Sequence, residues 1–129
     1  MASAHPSTTE KHLQPAAAST AVDGHAVLSI LEWMMLSRAT EERLIRLYHQ
    51  GKIQGGVYVG IGQEAISACS AAAGAKQDLY APCIRNMAVH IGRGETLRNV
   101  FRQWLGRANG PTHGRDGNVH FGNMDQGVY

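Results

Sequence analysis

From Val27 to Gln50 the apolar residues Val27, Ile30, Leu31, Met34, Met35, Leu44, Leu47 and Tyr48 recur at the spacing of one helix face. Asp23 stands where an N-cap belongs, and Gly51 where the helix must stop. Glu42 and Arg46, four apart with the acid first, add modest support on an exposed face. The period then breaks in GKIQGGVYVGIGQEA, where five glycines fall between Gly51 and Gly62. A helix does not tolerate that density, so this is a loop, with Val57 to Val59 extended. A second helix is predicted from near Gln63 through EAISACSAAA to Gly74, its small side chains open to the close approach of another backbone. The run Ala71 to Ala73 also fits simple helix propensity.

Pro82 forces Ala81 out of helical geometry, so KQDLYAPCIRN is extended before a third helix begins near Arg85 and ends at Gly92. Leu97, Val100, Phe101, Trp104 and Leu105 make the stripe of a fourth, with Gly106 at its C-terminal end. From Gly110 to Val128 all periodicity is lost, and there is no internal repeat. The pattern describes a mainly α chain of about four helices with glycine-rich loops. Residues 1–26, rich in Ala, Ser, Thr and Pro, read as a disordered tail, leaving 27–129 as the working part.

At 129 residues and 43% hydrophobic content the chain has room for one core. A net charge of +2 does not mark a nucleic-acid binder, and no apolar run approaches the roughly 20 residues of a membrane helix. The charge is uneven: Arg85, Arg93, Arg98, Arg102, Arg107 and Arg115 face Glu95 alone between residues 85 and 115. Such a run is either a set of solvated arginines or an anion site. Cys69 and Cys83 are too few and too far apart for a disulfide scaffold or a metal knuckle. The N-terminus has neither a secretory core nor an arginine-rich presequence, which points to the reducing cytoplasm. The seven histidines share no ligand spacing, so no metal site is assigned.

Three stretches carry more specific information in their order. LYHQGKIQGGVYVGIGQEAISACSAAA, DLYAPCIRNMAVHIGRG and WLGRANGPTHGRDGNVHFG together resemble the alpha subunit of the thiamine-diphosphate-dependent 2-oxo acid dehydrogenases, the pyruvate, branched-chain and acetoin dehydrogenase first components. The resemblance covers about residues 30 to 129. It implies the N-terminal part of an α/β fold whose parallel sheet, with its magnesium and diphosphate motif, lies beyond Tyr129. It also implies decarboxylation of a 2-oxo acid on thiamine diphosphate held with magnesium, and acyl transfer to a lipoyl arm. The implied partners are a beta subunit, in an alpha-two-beta-two assembly, and a lipoyl-bearing acyltransferase.

In that family a Tyr-Arg pair precedes the third helix and its arginine grips the diphosphate; here the pair is Ile84-Arg85. The forked guanidinium of Arg85 suits such a role, while Ile84 removes one hydroxyl donor. Pyruvate-type members place a substrate-facing histidine where this chain has Tyr58, and a phenol is by its chemistry a poor acid or base at neutral pH. Tyr58 is therefore either a hydrogen-bonding group for a carboxylate or a half-buried aromatic of the extended segment. His120, in the loop said by the resemblance to lead toward the cofactor cleft, is a weak catalytic candidate beside a structural hydrogen-bonding role. Two other readings stand: a non-catalytic helical interaction module derived from the family, and another transketolase-like thiamine enzyme. The isolated chain is expected to be inactive and only marginally stable.

Overall fold

A computed structural model describes residues 23–129. The proposed tail lies almost wholly outside the described residues, but its last members, residues 24–26, are the first turn of a helix. Asp23 caps that helix, its side chain accepting from the His25 amide at 3.0 Å. Helix α1, Gly24–His49, then runs for 26 residues, or about 39 Å. It ends where the Gly51 amide turns back to the Tyr48 carbonyl and Gly51 takes φ +68°. Helices α2 (Glu64–Ala73), α3 (Met87–Gly92) and α4 (Leu97–Trp104) follow, with a short 3-10 turn at Met124–Gln126. Among the described residues there is no strand, only isolated bridges of Val128 to Tyr80, parallel, and to Asn123, antiparallel.

The third helix starts two residues later than its pattern predicts. Cys83, Ile84, Arg85 and Asn86 form a turn, closed by the Asn86 amide on the Cys83 carbonyl and by the Cys83 amide on Asn86 Oδ1, at 2.9 Å each. Arg85 thus sits in a turn before α3, not at its first residue. Asn86 also donates from Nδ2 to the Ser67 hydroxyl on α2, fixing the turn to its neighbour.

The core gathers Leu44 and Leu47 of α1, Ile53 of the following loop, Met87 and Ile91 of α3, Val100 and Trp104 of α4, and Val119 and Phe121. Each large side chain withdrawn from water here contributes about 1.5–3 kcal/mol. The late aperiodic segment is therefore anchored by two alternate apolar residues. It is held again at its end, where the Tyr80 amide donates to Gly127 and the Tyr129 amide to Tyr80, both at 2.8 Å. On the other side α2 offers the small residues Ser67, Ala68 and Ala71. A Cβ on Gly92 would stand 2.8 Å from the Ala71 Cβ and 3.0 Å from the Trp33 ring, so α1, α2 and α3 meet at this glycine.

The α1 stripe departs from its pattern. Its buried positions are Ser37, Thr40, Glu41, Leu44 and Leu47, whereas Val27, Leu31, Met35 and Tyr48 are exposed. The other helices are 10, 6 and 8 residues long, too short to cover all of α1. No described helix is long and apolar enough to cross a membrane.

Arg93 is a local fastener. Its guanidinium donates to the carbonyls of Ala75, Lys76, Asp78 and Gln126, and its Cζ stands 5.0 Å over the Tyr80 ring. One side chain thus ties the α2–α3 connection to the last turn of the chain.

Two outcomes follow from this packing. A side chain on Gly60 would run into the Arg85 carbonyl oxygen, so Gly60→Ala should destabilise the chain by about 1–3 kcal/mol in denaturant unfolding. Gly24→Ala, with nothing within 4 Å, should stabilise it by up to about 1 kcal/mol. His90 is buried against the Phe121 ring at 5.0 Å, and burial lowers its pKa, with Glu95 opposing. The unfolded chain takes a proton on His90 near pH 6.5 and the folded chain only at lower pH, so stability from this group is complete above that value and falls as pH drops below it. His90→Gln should flatten the decline in stability between pH 7 and pH 5.

Candidate functional site

The glycine-rich loop is shaped by two side chains from α1. Arg38 and Glu41 stand three apart and so project from neighbouring turns of one face. The Arg38 Nε donates to Glu64 Oε1 at 2.6 Å, and Glu64 Oε2 accepts from the Gly62 amide at 3.0 Å. Glu41 Oε1 accepts from the Gly60 amide at 2.9 Å. Between these fixed points the Gln63 amide closes on the Gly60 carbonyl at 2.8 Å, and α2 begins one residue later. A buried pair of carboxyls, each on one end of a turn, thus sets the path of Gly60 to Glu64.

The two carboxyls have opposite electrostatics. Arg38 holds Glu64 below the usual carboxylate range through its hydrogen bond, and the Gly62 amide assists. Burial pushes Glu41 up, the Gly60 amide opposes, the Glu64 charge adds to the rise and Arg38 reduces it. The second oxygen, Glu41 Oε2, is buried with no hydrogen-bond partner.

On the far side of Gly60 lies the turn before α3. The Arg85 carbonyl presses on the Gly60 Cα, and the Arg85 guanidinium stands 5.9 Å over the exposed Tyr58 ring. Two residues 27 positions apart, singled out separately from the sequence, are therefore neighbours in space. Ion pairs among the described residues are Arg38–Glu64, Arg46–Glu42 and His120–Asp116, so no carboxylate neutralises Arg85. Ile84 packs its side chain against the apolar core, leaving Arg85 as the polar member of the pair.

His120 is placed on an adjoining loop. Its Nδ1 lies 3.3 Å from Asp116, with both side chains exposed. Asn118 Nδ2 reaches the Gly56 carbonyl at 3.4 Å, so the 116–121 loop borders the loop that carries Tyr58. The immediate partner of His120 is a carboxylate four residues back.

Arg38, Glu41 and Glu64 were not singled out by spacing arguments. The available signal was polar Arg38 and Glu41 interrupting the approach to Leu44 and Leu47. A cleft of about 440 Å³ elsewhere is lined by Glu95, Asn99, His113, Asn123 and Asp125. Of its two acids Glu95 is internally satisfied, accepting from the Thr96 amide, Asn99 Nδ2 and Asn123 Nδ2. Among the described residues no group of three His, Cys, Asp or Glu side chains gathers to hold a metal ion.

Comparison with known proteins gives the family from sequence. The family model described as Dehydrogenase E1 component matches residues 32–129. The mitochondrial pyruvate dehydrogenase E1 component subunit alpha of Pisum sativum is 31% identical over 121 residues, 94% of this chain and 30% of that protein. Subunit alpha-1 of Arabidopsis thaliana is 30% identical over 115 residues, 89% of this chain and 30% of the relative. The Rickettsia prowazekii subunit alpha is 33% identical over 96 residues, 74% and 29% respectively. The chain spans about three tenths of the length of the curated relatives it matches. A family match over residues 32–129 and relatives named as alpha subunits lead to one assignment: the chain belongs to the dehydrogenase E1 component family, on the alpha-subunit side of the 2-oxo acid dehydrogenases.

Proposed function

We propose that this chain forms one wall of the cofactor cleft in a thiamine-diphosphate-dependent 2-oxo acid dehydrogenase and that Arg85 grips the cofactor's diphosphate. The observation that carries this reading is the unneutralised Arg85 guanidinium, beside Tyr58 at a backbone contact that fixes its base. The donor set suits a diphosphate: Arg85 offers forked N–H groups and permanent charge. When bound, thiamine diphosphate supplies the carbanion chemistry that decarboxylates the 2-oxo acid. Arg85 would hold the anionic end, with Ile84 behind it as an apolar wall. Tyr58, half-exposed, would hydrogen-bond a substrate carboxylate, and His120 with Asp116 would order the adjoining loop. No step is assigned to magnesium, which the resemblance pairs with the cofactor.

Pyruvate is the proposed substrate, because the relatives above are named as pyruvate dehydrogenase subunits; branched-chain 2-oxo acids and acetoin are the alternatives. A beta subunit and a lipoyl-bearing acyltransferase are the proposed partners. Two exposed, unpaired thiols, Cys69 and Cys83, support a reducing compartment, and the cytoplasm is the proposed location. The plant relatives above include proteins named as mitochondrial. A second reading, a helical interaction module, draws on the exposed Leu28, Leu31 and Met35 of α1.

In the full-length protein, Arg85→Ala should weaken thiamine diphosphate binding roughly 10- to 100-fold, the loss of a charge-assisted hydrogen bond. Arg85→Lys should recover part of it, since an ammonium does not reproduce the fork. Arg98→Ala, exposed on α4, should leave affinity unchanged. Calorimetric titration of the three variants checks this, and equal affinities reduce Arg85 to a solvated arginine. The 129-residue chain alone should give no turnover of pyruvate with thiamine diphosphate and magnesium; product release above the buffer rate would refute that expectation.

A further inference from the structure

We propose that Glu41 is a positioning residue for the Arg85 site, its Oε1 holding the Gly60 amide so that Gly60 seats the Arg85 carbonyl. The proposal rests on the reading of Arg85 as the diphosphate arginine. Its ground is a chain of three contacts. Glu41 Oε1 lies 2.9 Å from the Gly60 nitrogen, the Gly60 Cα meets the Arg85 carbonyl, and the Arg85 guanidinium stands over Tyr58.

Glu41 is an expensive way to fill its place. It is 2% exposed, on the same stripe as Leu44 and Leu47, and its Oε2 has no partner. Packing alone would be served by an apolar side chain, since a buried and half-satisfied carboxyl destabilises a core. What an apolar side chain lacks is an acceptor for Gly60. Gly60 is buried and its amide has no backbone acceptor, so a side-chain oxygen must take it. The charged groups acting on Glu41 are Arg38 on its own helix and Glu64 at the start of α2, and these two are already bonded to each other. Glu41 is therefore left to Gly60 alone.

The test separates reach from charge. Glu41→Gln keeps the acceptor and removes the charge; Glu41→Asp keeps the charge and withdraws it by one methylene. In the full-length protein, thiamine diphosphate titrated by calorimetry should bind Glu41→Gln within about 3-fold of the parent and Glu41→Asp about 10-fold more weakly. Hydrogen exchange at the Gly60 amide, measured without cofactor, should quicken about 10-fold in Glu41→Asp and stay near the parent rate in Glu41→Gln. Equal affinities in the two variants, or a weaker Glu41→Gln, overturn the proposal, as does unchanged Gly60 exchange in Glu41→Asp. Arg85→Ala in the same series distinguishes the premises. It should weaken binding and leave Gly60 exchange alone; if it leaves binding intact, the diphosphate reading fails and the proposal with it. If it weakens binding while Glu41→Asp does not, only the role of Glu41 fails.

Discussion

The grip of α1 on the turn from Gly60 to Glu64 is the constraint from which the rest of this site follows. Exposed Arg38 and buried Glu41 hold that turn from one face of a helix, Arg38 through Glu64 and Glu41 through the Gly60 amide. The turn in turn places the start of α2. Gly60 then receives the Arg85 carbonyl, and through it the turn before α3. A loop with five glycines has many conformations to lose, and two carboxyls and a guanidinium select one of them.

Elsewhere the chain uses polar side chains where larger domains use strands. Arg93 gathers carbonyls from two segments that no ladder satisfies, and Asn86 joins the turn before α3 to α2. Such groups give backbone and hydroxyl groups of loop segments defined polar partners, which an apolar contact does not do. They also explain why close helix approach and open loops coexist: Ala71 against Gly92 fixes the helices, and the hydrogen bonds fix what runs between them.

Periodicity made the helices legible, since Leu44, Leu47, Val100 and Trp104 are core residues at the positions their spacing assigns. Asp23, Gly51 and Gly106 announced boundaries by the backbone geometry they permit. Spacing failed at Ile84 and Arg85 because a side chain, Asn86, closes a turn there before the helical hydrogen bonds begin. It failed again for Val27, Leu31 and Met35 of α1, which have the right period and lie exposed. Of the site, Tyr58 and Arg85 were visible through resemblance, while their adjacency was not. Glu41 and Arg38 were hidden because a polar residue in an amphipathic helix looks solvated until its partner, 19 or 26 positions away, is in place.

The inclusion of Val119 and Phe121 in the same cluster as Leu44 and Leu47 bears on how the chain is made. These members are separated by more than seventy positions, so the core is a non-local structure despite its helices, and its closure carries the entropy of a long loop. During synthesis α1 through α4 can emerge and become helical, but Val119 and Phe121 join their cluster only after they have left the ribosome. The nascent chain must keep the cluster's apolar surface from other partners until then. Closure of this cluster is thus timed by translation of Val119 and Phe121.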